Sequence, residues 1–252
     1  MAHADVAAAP VAPPADLFSA GALQARYGAL TAPEILDAAI NTVFAGRIAL
    51  VSSFGADAAA LLHLVSEVNP ATPVLFLETG KHFPETLRYR DRLIARLGLT
   101  DVRSLRPDPV RLAEIDPEGA LWLRNTDQCC HIRKVEPLAR AMEGFDAWIT
   151  GRKRFQNGQR AQLTAFETEG GRVKVNPLAA WTKDDVKAYV ARHDLPPHPL
   201  VAEGYLSIGC LPCTSRVAAG EDERSGRWRG KAKTECGIHL GILGREIDGS
   251  GI

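Results

Sequence analysis

Ile48-Ala49-Leu50-Val51-Ser52-Ser53-Phe54-Gly55-Ala56-Asp57 is the stretch that decides the fold. Four apolar residues form a short buried strand that ends abruptly in serine and glycine. A helix follows at once, Ala58 to Val68, with Leu61, Leu62, Leu64 and Val65 at helical spacing. A strand that feeds a helix through a tight polar loop opens a βαβ unit. The loop offers hydroxyls, a glycine that permits close backbone approach, and the positive end of a helix, a set that favours an anion. It is not a Walker loop, because no Gly-Lys-Ser/Thr follows, and it is not GxGxxG. On these residues alone a plain capped βα turn is the better account.

The pattern repeats on both sides. Asp16–Tyr27 and Pro33–Phe44 are expected to be helices. Val74-Leu75-Phe76-Leu77 is a second buried strand, followed by Glu78-Thr79-Gly80 and a helix from Pro84 to Leu97. Val102–Leu105, Ala147–Thr150 (ending at Gly151) and Val173–Asn176 (stopped by Pro177) are further strands. Thr182 caps a last helix with Asp185 in the capping-box position, and Val186, Tyr189 and Val190 face inward. This alternation predicts an α/β, Rossmann-like parallel sheet that binds its ligand beyond the strands' carboxyl ends. Beyond Pro199 the periodicity fades, and glycine and arginine dominate Gly220–Gly230, the composition of a flexible arm. The expected parts are a disordered lead (1–16), a nucleotide-binding body (17–205) and a C-terminal arm (206–252).

The 252 residues are 46% apolar and 24% charged, ordinary values for a globular protein. Thirty basic residues balance thirty acidic ones, so net charge lends no support to a nucleic-acid partner. The Ala- and Pro-rich opening lacks the pattern of a secretory signal. No apolar run approaches the roughly 20 residues that span a bilayer. A cytoplasmic location without membrane contact is therefore expected, and there paired cysteines are metal ligands or redox groups rather than disulfides.

The five cysteines fall as Cys129-Cys130, Cys210-Leu211-Pro212-Cys213 and the lone Cys236. Cys-x-x-Cys suits zinc or an iron–sulfur centre. Adjacent helical cysteines point about 100° apart, awkward for one tetrahedral ion but suited to a cubane with separate corners. A thioredoxin motif belongs at a helix start after an early strand, whereas this one lies late in a glycine-flanked loop. Lys134, four residues after Cys130, shares its helix face and would stabilise an anionic cluster. At Cys236 the neighbouring Glu235 works against a thiolate, while Lys231, Lys233 and His239 work for it.

Taken in order, the blocks resemble the iron–sulfur branch of the sulfonucleotide reductases, assimilatory adenylyl-sulfate (APS) reductases, from about Ile48 to Leu240. Ser52-Ser53-Phe54-Gly55-Ala56-Asp57 is similar to that branch's PP-loop, of the adenine-nucleotide α-hydrolase-like type, without the Gly-Gly pair of pyrophosphatase members. Leu77-Glu78-Thr79-Gly80 resembles the family's Leu-Asp-Thr-Gly with glutamate for aspartate, and His82, Pro84, Glu85 and Thr86 continue the match. Cys129 to Leu138 resembles the double-cysteine block, Arg224-Ser225-Gly226-Arg227-Trp228 the Arg-x-Gly-Arg-Trp block, and Glu235-Cys236-Gly237-Ile238-His239-Leu240 the Glu-Cys-Gly-x-His block. Gly151 to Arg160 matches more loosely, since the residues between differ.

The resemblance implies a [4Fe–4S] cluster on Cys129, Cys130, Cys210 and Cys213, and Cys236 as nucleophile toward the sulfur of adenylyl sulfate. AMP leaves, an S-sulfocysteine remains, and a thioredoxin- or glutaredoxin-type dithiol releases sulfite. The residues implied at the substrate are Ser52, Ser53, Phe54, Gly55, Ala56, Asp57, Leu77, Thr79, Gly80, Lys134, Gly151, Arg160, Arg224, Arg227 and His239. Three alternatives stay open: use of the 3′-phosphorylated nucleotide (PAPS), a PP-loop tRNA-thiolating enzyme, and a non-catalytic zinc or cluster module. Homo-oligomerisation is not legible.

Overall fold

A computed structural model describes residues 18–156 and 158–239. The lead 1–16 and Leu240 lie outside the described residues.

The elements run α1 (Ala20–Tyr27), α2 (Ala32–Asp37, continued by a π-helical turn Ala38–Val43), β1 (Ile48–Ser52), α3 (Ala58–Val68), β2 (Val74–Leu77), α4 (Pro84–Leu97) and β3 (Val102–Leu105). Four short helices follow: α5 (Pro109–Ile115), α6 (Leu121–Arg124), α7 (Thr126–Cys130, running into a π-helical turn His131–Val135) and α8 (Glu136–Ala141). Then come β4 (Ala147–Ile149), β5 (Phe166–Glu169), β6 (Arg172–Val175) and α9 (Lys183–Arg192). The expected Rossmann-like α/β sheet is present, in the order β3-β2-β1-β4-β6-β5. All neighbours are parallel except the β5–β6 hairpin, an edge strand the sequence reading did not anticipate.

This order places the switch point between β1 and β4. Chain leaving β1 turns one way to β2, and chain leaving β4 turns the other way, so a crevice opens above that pair. The loops flanking it are Ser52–Asp57 and the segment after Ile149.

The central strands β1, β2, β4 and β6 bury both faces. Leu50, Phe76, Ile149 and Val175 belong to the larger core beneath α2, α3 and α4. Ala49, Val51, Leu75 and Trp148 form a second core with Val135, Leu138 and Met142. That second core is closed by Ile238 from the far end of the described chain. The arm is therefore seated here as part of a layer: Trp228 is buried, and Cys213 and Gly226 anchor the backbone of Trp228 and Ser215.

The last crossover is pinned by His198. Its Nδ1 accepts from the Leu200 N–H, so the proton sits on Nε2 and is donated to the Thr86 hydroxyl at 3.0 Å. The ring is buried, and burial holds its pKa down, to about 4. The folded state therefore binds fewer protons than the unfolded one, and stability present above the usual 6.5 is lost as pH falls toward 4. The denaturant midpoint should drop between pH 7.5 and pH 5, and a His198→Gln protein should lose a smaller share of its stability over the same interval.

Candidate active site

The crevice at the switch point is a cavity of about 470 Å³, within the range of sites for compact organic ligands. The β1 loop contributes Ser52, Ser53, Gly55, Ala56 and Asp57, and β2 contributes Leu77. The segment after β4 adds Thr150, Gly151, Arg152, Lys153, Gln156 and Arg160. Lys134 lines one wall, and the arm closes the cavity with Arg224, Arg227, Glu235, Cys236 and His239. Most of the expected substrate residues are thus brought together.

Phe54, Thr79 and Gly80 are not on the cavity surface. Phe54 is fully buried, packed edge-on against Phe76 with centroids 5.5 Å apart. Its φ of 48° is strained for a side chain of this size and persists because the ring is locked in the core. Ser52 Oγ accepts the Phe54 N–H, which completes the turn. Leu77 offers its carbonyl, but His82 Nε2 already lies 2.8 Å from it.

Thr79 serves the other sulfur group: its hydroxyl is 3.3 Å from Cys210 Sγ. The segment after β2 is where the two cysteine pairs meet. Leu211 N–H donates to the Lys81 carbonyl, and His82 bridges Cys210. On the other side Arg133 donates to the Thr79 carbonyl and pairs with Asp116 at 2.7 Å, both charges being buried. Cys129, Cys130, Cys210 and Cys213 consequently line one small cavity with Lys81, Trp122 and Arg133. Among the described residues no three His, Cys, Asp or Glu side chains converge on a single ion. Burial raises the pKa of Cys129 and Cys213 and pushes Cys130 up to about 11. Burial acts the same way on Cys210, but Lys134, the Thr79 hydroxyl and Arg227 outweigh it and hold that thiol down.

Lys134 stands between the two sulfur groups, its Nζ 4.0 Å from Cys236 Sγ. Burial opposes its charge, yet Cys210, Cys236 and Cys130 together push its pKa up.

Arg160 and Arg224 grip the arm through Glu235. The Arg160 guanidinium donates to one carboxylate oxygen from Nε at 2.8 Å and Nη2 at 2.7 Å, and Arg224 reaches the other oxygen at 3.4 Å. The Cys236 N–H donates to that second oxygen at 2.9 Å. Burial would raise Glu235, but the two arginines hold it below its usual range, so it stays a carboxylate. Gly226 is required by backbone contact, since a Cβ there would fall 2.3 Å from the Ser215 carbonyl. At Gly209 a Cβ would meet the Arg227 guanidinium at the same distance.

Two sequence expectations change. His239 is not a cation beside Cys236: burial, then Lys174, Arg152, Arg160 and Arg224, keep its pKa well below the usual 6.5, and the ring stacks on Trp148 at 5.9 Å. Lys231 and Lys233 turn away to Trp122, Thr126 and Asp127. The sequence reading also missed Arg152 and Lys153. The basic run Arg152-Lys153-Arg154 after a strand was the available signal.

Residues 47–216 match the phosphoadenosine phosphosulfate reductase domain family. An adenosine 5′-phosphosulfate reductase of Mesorhizobium japonicum is 56% identical over 89% of this chain and 88% of its own. A phosphoadenosine 5′-phosphosulfate reductase of Gloeobacter violaceus is 45% identical over 82% of this chain and 88% of its own. Among solved structures, a phosphoadenylyl-sulfate reductase from Candida auris in a phosphate complex superposes with a TM-score of 0.66 at 28% identity, covering 79% of this chain and 96% of that one.

Replacing Arg160 by Met removes both guanidinium bonds to buried Glu235, a change that typically costs about 3 kcal/mol or more. Tryptic cleavage after Lys231 and Lys233 is expected to accelerate at least about tenfold, following that energy. Unchanged cleavage would mean that the arm is held by its apolar contacts alone.

Proposed function

The chain belongs to the phosphoadenosine phosphosulfate reductase family, and from that premise we propose that it reduces adenylyl sulfate to sulfite and AMP through Cys236. It is a sulfur-group oxidoreductase. The observation that carries the reading is the placement of Cys236 Sγ, 4.0 Å from a buried ammonium and on the same cavity as the Ser52–Asp57 loop and four arginines.

The chemistry follows from those groups. The β1 loop and the arginines bind the phosphate and sulfate, so Cys236 need only approach sulfur in line. The thiolate forms a bond to the sulfate sulfur as the bond from sulfur to the bridging oxygen breaks, and AMP leaves with that electron pair. Lys134, Arg160, Arg224 and Arg227 meet the charge on the departing phosphate and on the sulfate oxygens. His239 contributes as a neutral ring, stacked on Trp148, and so positions the turn that carries Cys236. A dithiol reductant of the thioredoxin or glutaredoxin class then attacks Cys236 Sγ. Sulfite departs with the electron pair of the S–S bond, and the reductant's second thiol resolves the mixed disulfide. The products are free Cys236 and an oxidised reductant. Reaching that reductant requires the end of the arm that carries Cys236 to lift from the cavity, while the Cys210–Cys213 turn stays in place.

The four remaining cysteines suit a [4Fe–4S] cluster. They line one small cavity, and the neighbouring helical thiols of Cys129 and Cys130, about 100° apart, suit separate corners of a cube better than one tetrahedral ion. Such a centre would supply fixed negative charge beside Lys134 and tie α7 to the Cys210–Cys213 turn. No step above passes through it. No described helix is long and apolar enough to cross a membrane.

The relative named for the phosphorylated nucleotide makes substrate choice the first comparison. A kcat/KM for adenylyl sulfate at least tenfold above that for its 3′-phosphorylated form is expected; equal values would defeat the assignment. Cys236→Ser is expected to abolish sulfite production and the covalent retention of label from ³⁵S-adenylyl sulfate. Iron and acid-labile sulfide, measured on protein purified without air, should be unaffected by that substitution. Label held at another residue would overturn the proposed role of Cys236, and zinc in place of iron would overturn the cluster.

A further inference from the structure

The Ser52–Asp57 loop has to hold an anion, yet it contains no cation and ends in a carboxylate. The positive end of a helix amounts to about half an elementary charge. Asp57 stands at the N-cap position of α3, where it faces that same field. Left alone, its carboxylate would oppose any phosphate or sulfate that the loop's N–H groups attract.

The side chain that answers Asp57 comes from the other lip of the crevice. Lys153, just past β4, is 1% exposed, and its Nζ lies 3.1 Å from Asp57 Oδ2. Both residues line the large cavity. Its backbone is fixed as well: the Lys153 N–H donates to Gln156 Oε1, an oxygen that also accepts from Arg160. An ammonium carries three N–H donors. Among the described residues the side-chain hydrogen bond of Lys153 goes to Asp57 alone, so its remaining donors have no protein acceptor on a cavity wall. Burying a charge in this way is costly unless something further pairs with it.

We propose that Lys153 is a substrate-binding residue: it neutralises Asp57 through one N–H and presents its others to the phosphate or sulfate of the nucleotide seated at Ser52–Asp57. The lysine that a Gly-Lys-Ser/Thr loop carries within itself is here delivered from the neighbouring strand, across the switch point. This inference rests on the function proposed above.

The test separates the two. Binding of adenylyl sulfate and of AMP is measured by calorimetry in the Cys236→Ser protein, with and without Lys153→Met. Loss of one charge-assisted hydrogen bond predicts a Kd about 10- to 100-fold weaker. In the protein with Cys236 intact, KM should rise by a similar factor with kcat little changed, and Lys153→Arg should restore most of the loss. Lys153→Gln provides the same comparison if the methionine protein is unstable, with thermal midpoints confirming that the compared proteins are folded. Adding Asp57→Asn to Lys153→Met should recover only part of the affinity. Full recovery would show that Lys153 merely cancels Asp57 and does not touch the ligand, overturning the proposal. An unchanged Kd, or a loss confined to kcat, would overturn it too. Failure of Cys236→Ser alone to bind adenylyl sulfate would overturn the functional reading, and this inference with it.

Discussion

Burying an ammonium is costly unless polar or anionic groups meet it, and Lys134 stands between two groups of sulfur. Its Nζ lies 4.0 Å from Cys236, and Cys210 and Cys130 act on it from the other side. The wall it forms separates the large cavity from the small one that the four other cysteines line. Charge placed on either side is therefore felt on the other through a single side chain, over distances at which a low-dielectric interior screens little. The π-helical turn His131–Val135 makes this possible. It follows directly on the helix that bears Cys129 and Cys130, and it buries Ile132, Arg133, Lys134 and Val135 in succession.

The sheet order supplies the second constraint. Because β1 lies beside β4, loops 98 residues apart in sequence, at Ser52 and Thr150, become the two lips of one crevice. The β2 strand holds the neighbouring position, and the segment that follows it collects Cys210 through Thr79 and the cysteine helix through Arg133. Three consecutive strand ends thus receive the Ser52–Asp57 loop, the later basic loop and the cysteine scaffold. None of these contacts is local, which is why short helices such as α6 and α7 exist at all: so few residues do not sustain a helix without tertiary support.

What the sequence disclosed follows from the same distinction. Elements with strong local signals were legible to the residue: Ala58–Val68, Pro84–Leu97, Val74–Leu77 and the Thr182-capped helix. The β5 strand was not, because Phe-Glu-Thr-Glu buries one side chain firmly and its pairing with β6 is set by the hairpin rather than by periodicity. The cysteine pairs and the arginines of the arm were legible as motif blocks, and they line the small and the large cavity respectively. The state of His239 was not legible, since it depends first on burial and then on Lys174 and Arg152, both distant in sequence. Phe54 and Thr79 show the limit of motif reading from the other direction. Both belong to matched blocks, yet one supports the loop from the core and the other faces Cys210.

The arm's dual character follows from how its contacts are divided. Ile238 and Trp228 contribute apolar burial of a kind that would suit a permanent layer. Glu235 instead binds through Arg160 and Arg224, two cations that an anionic nucleotide would also engage. A carboxylate and a phosphate would compete for the same guanidinium donors, so a nucleotide in the cavity would weaken the ionic half of the arm's attachment and leave the apolar half in place. Cys236 is tied to the ionic half, its own N–H being bound to the Glu235 carboxylate. Its sulfur therefore sits beside the contacts that ligand charge would loosen, although the side chain also packs against the second core.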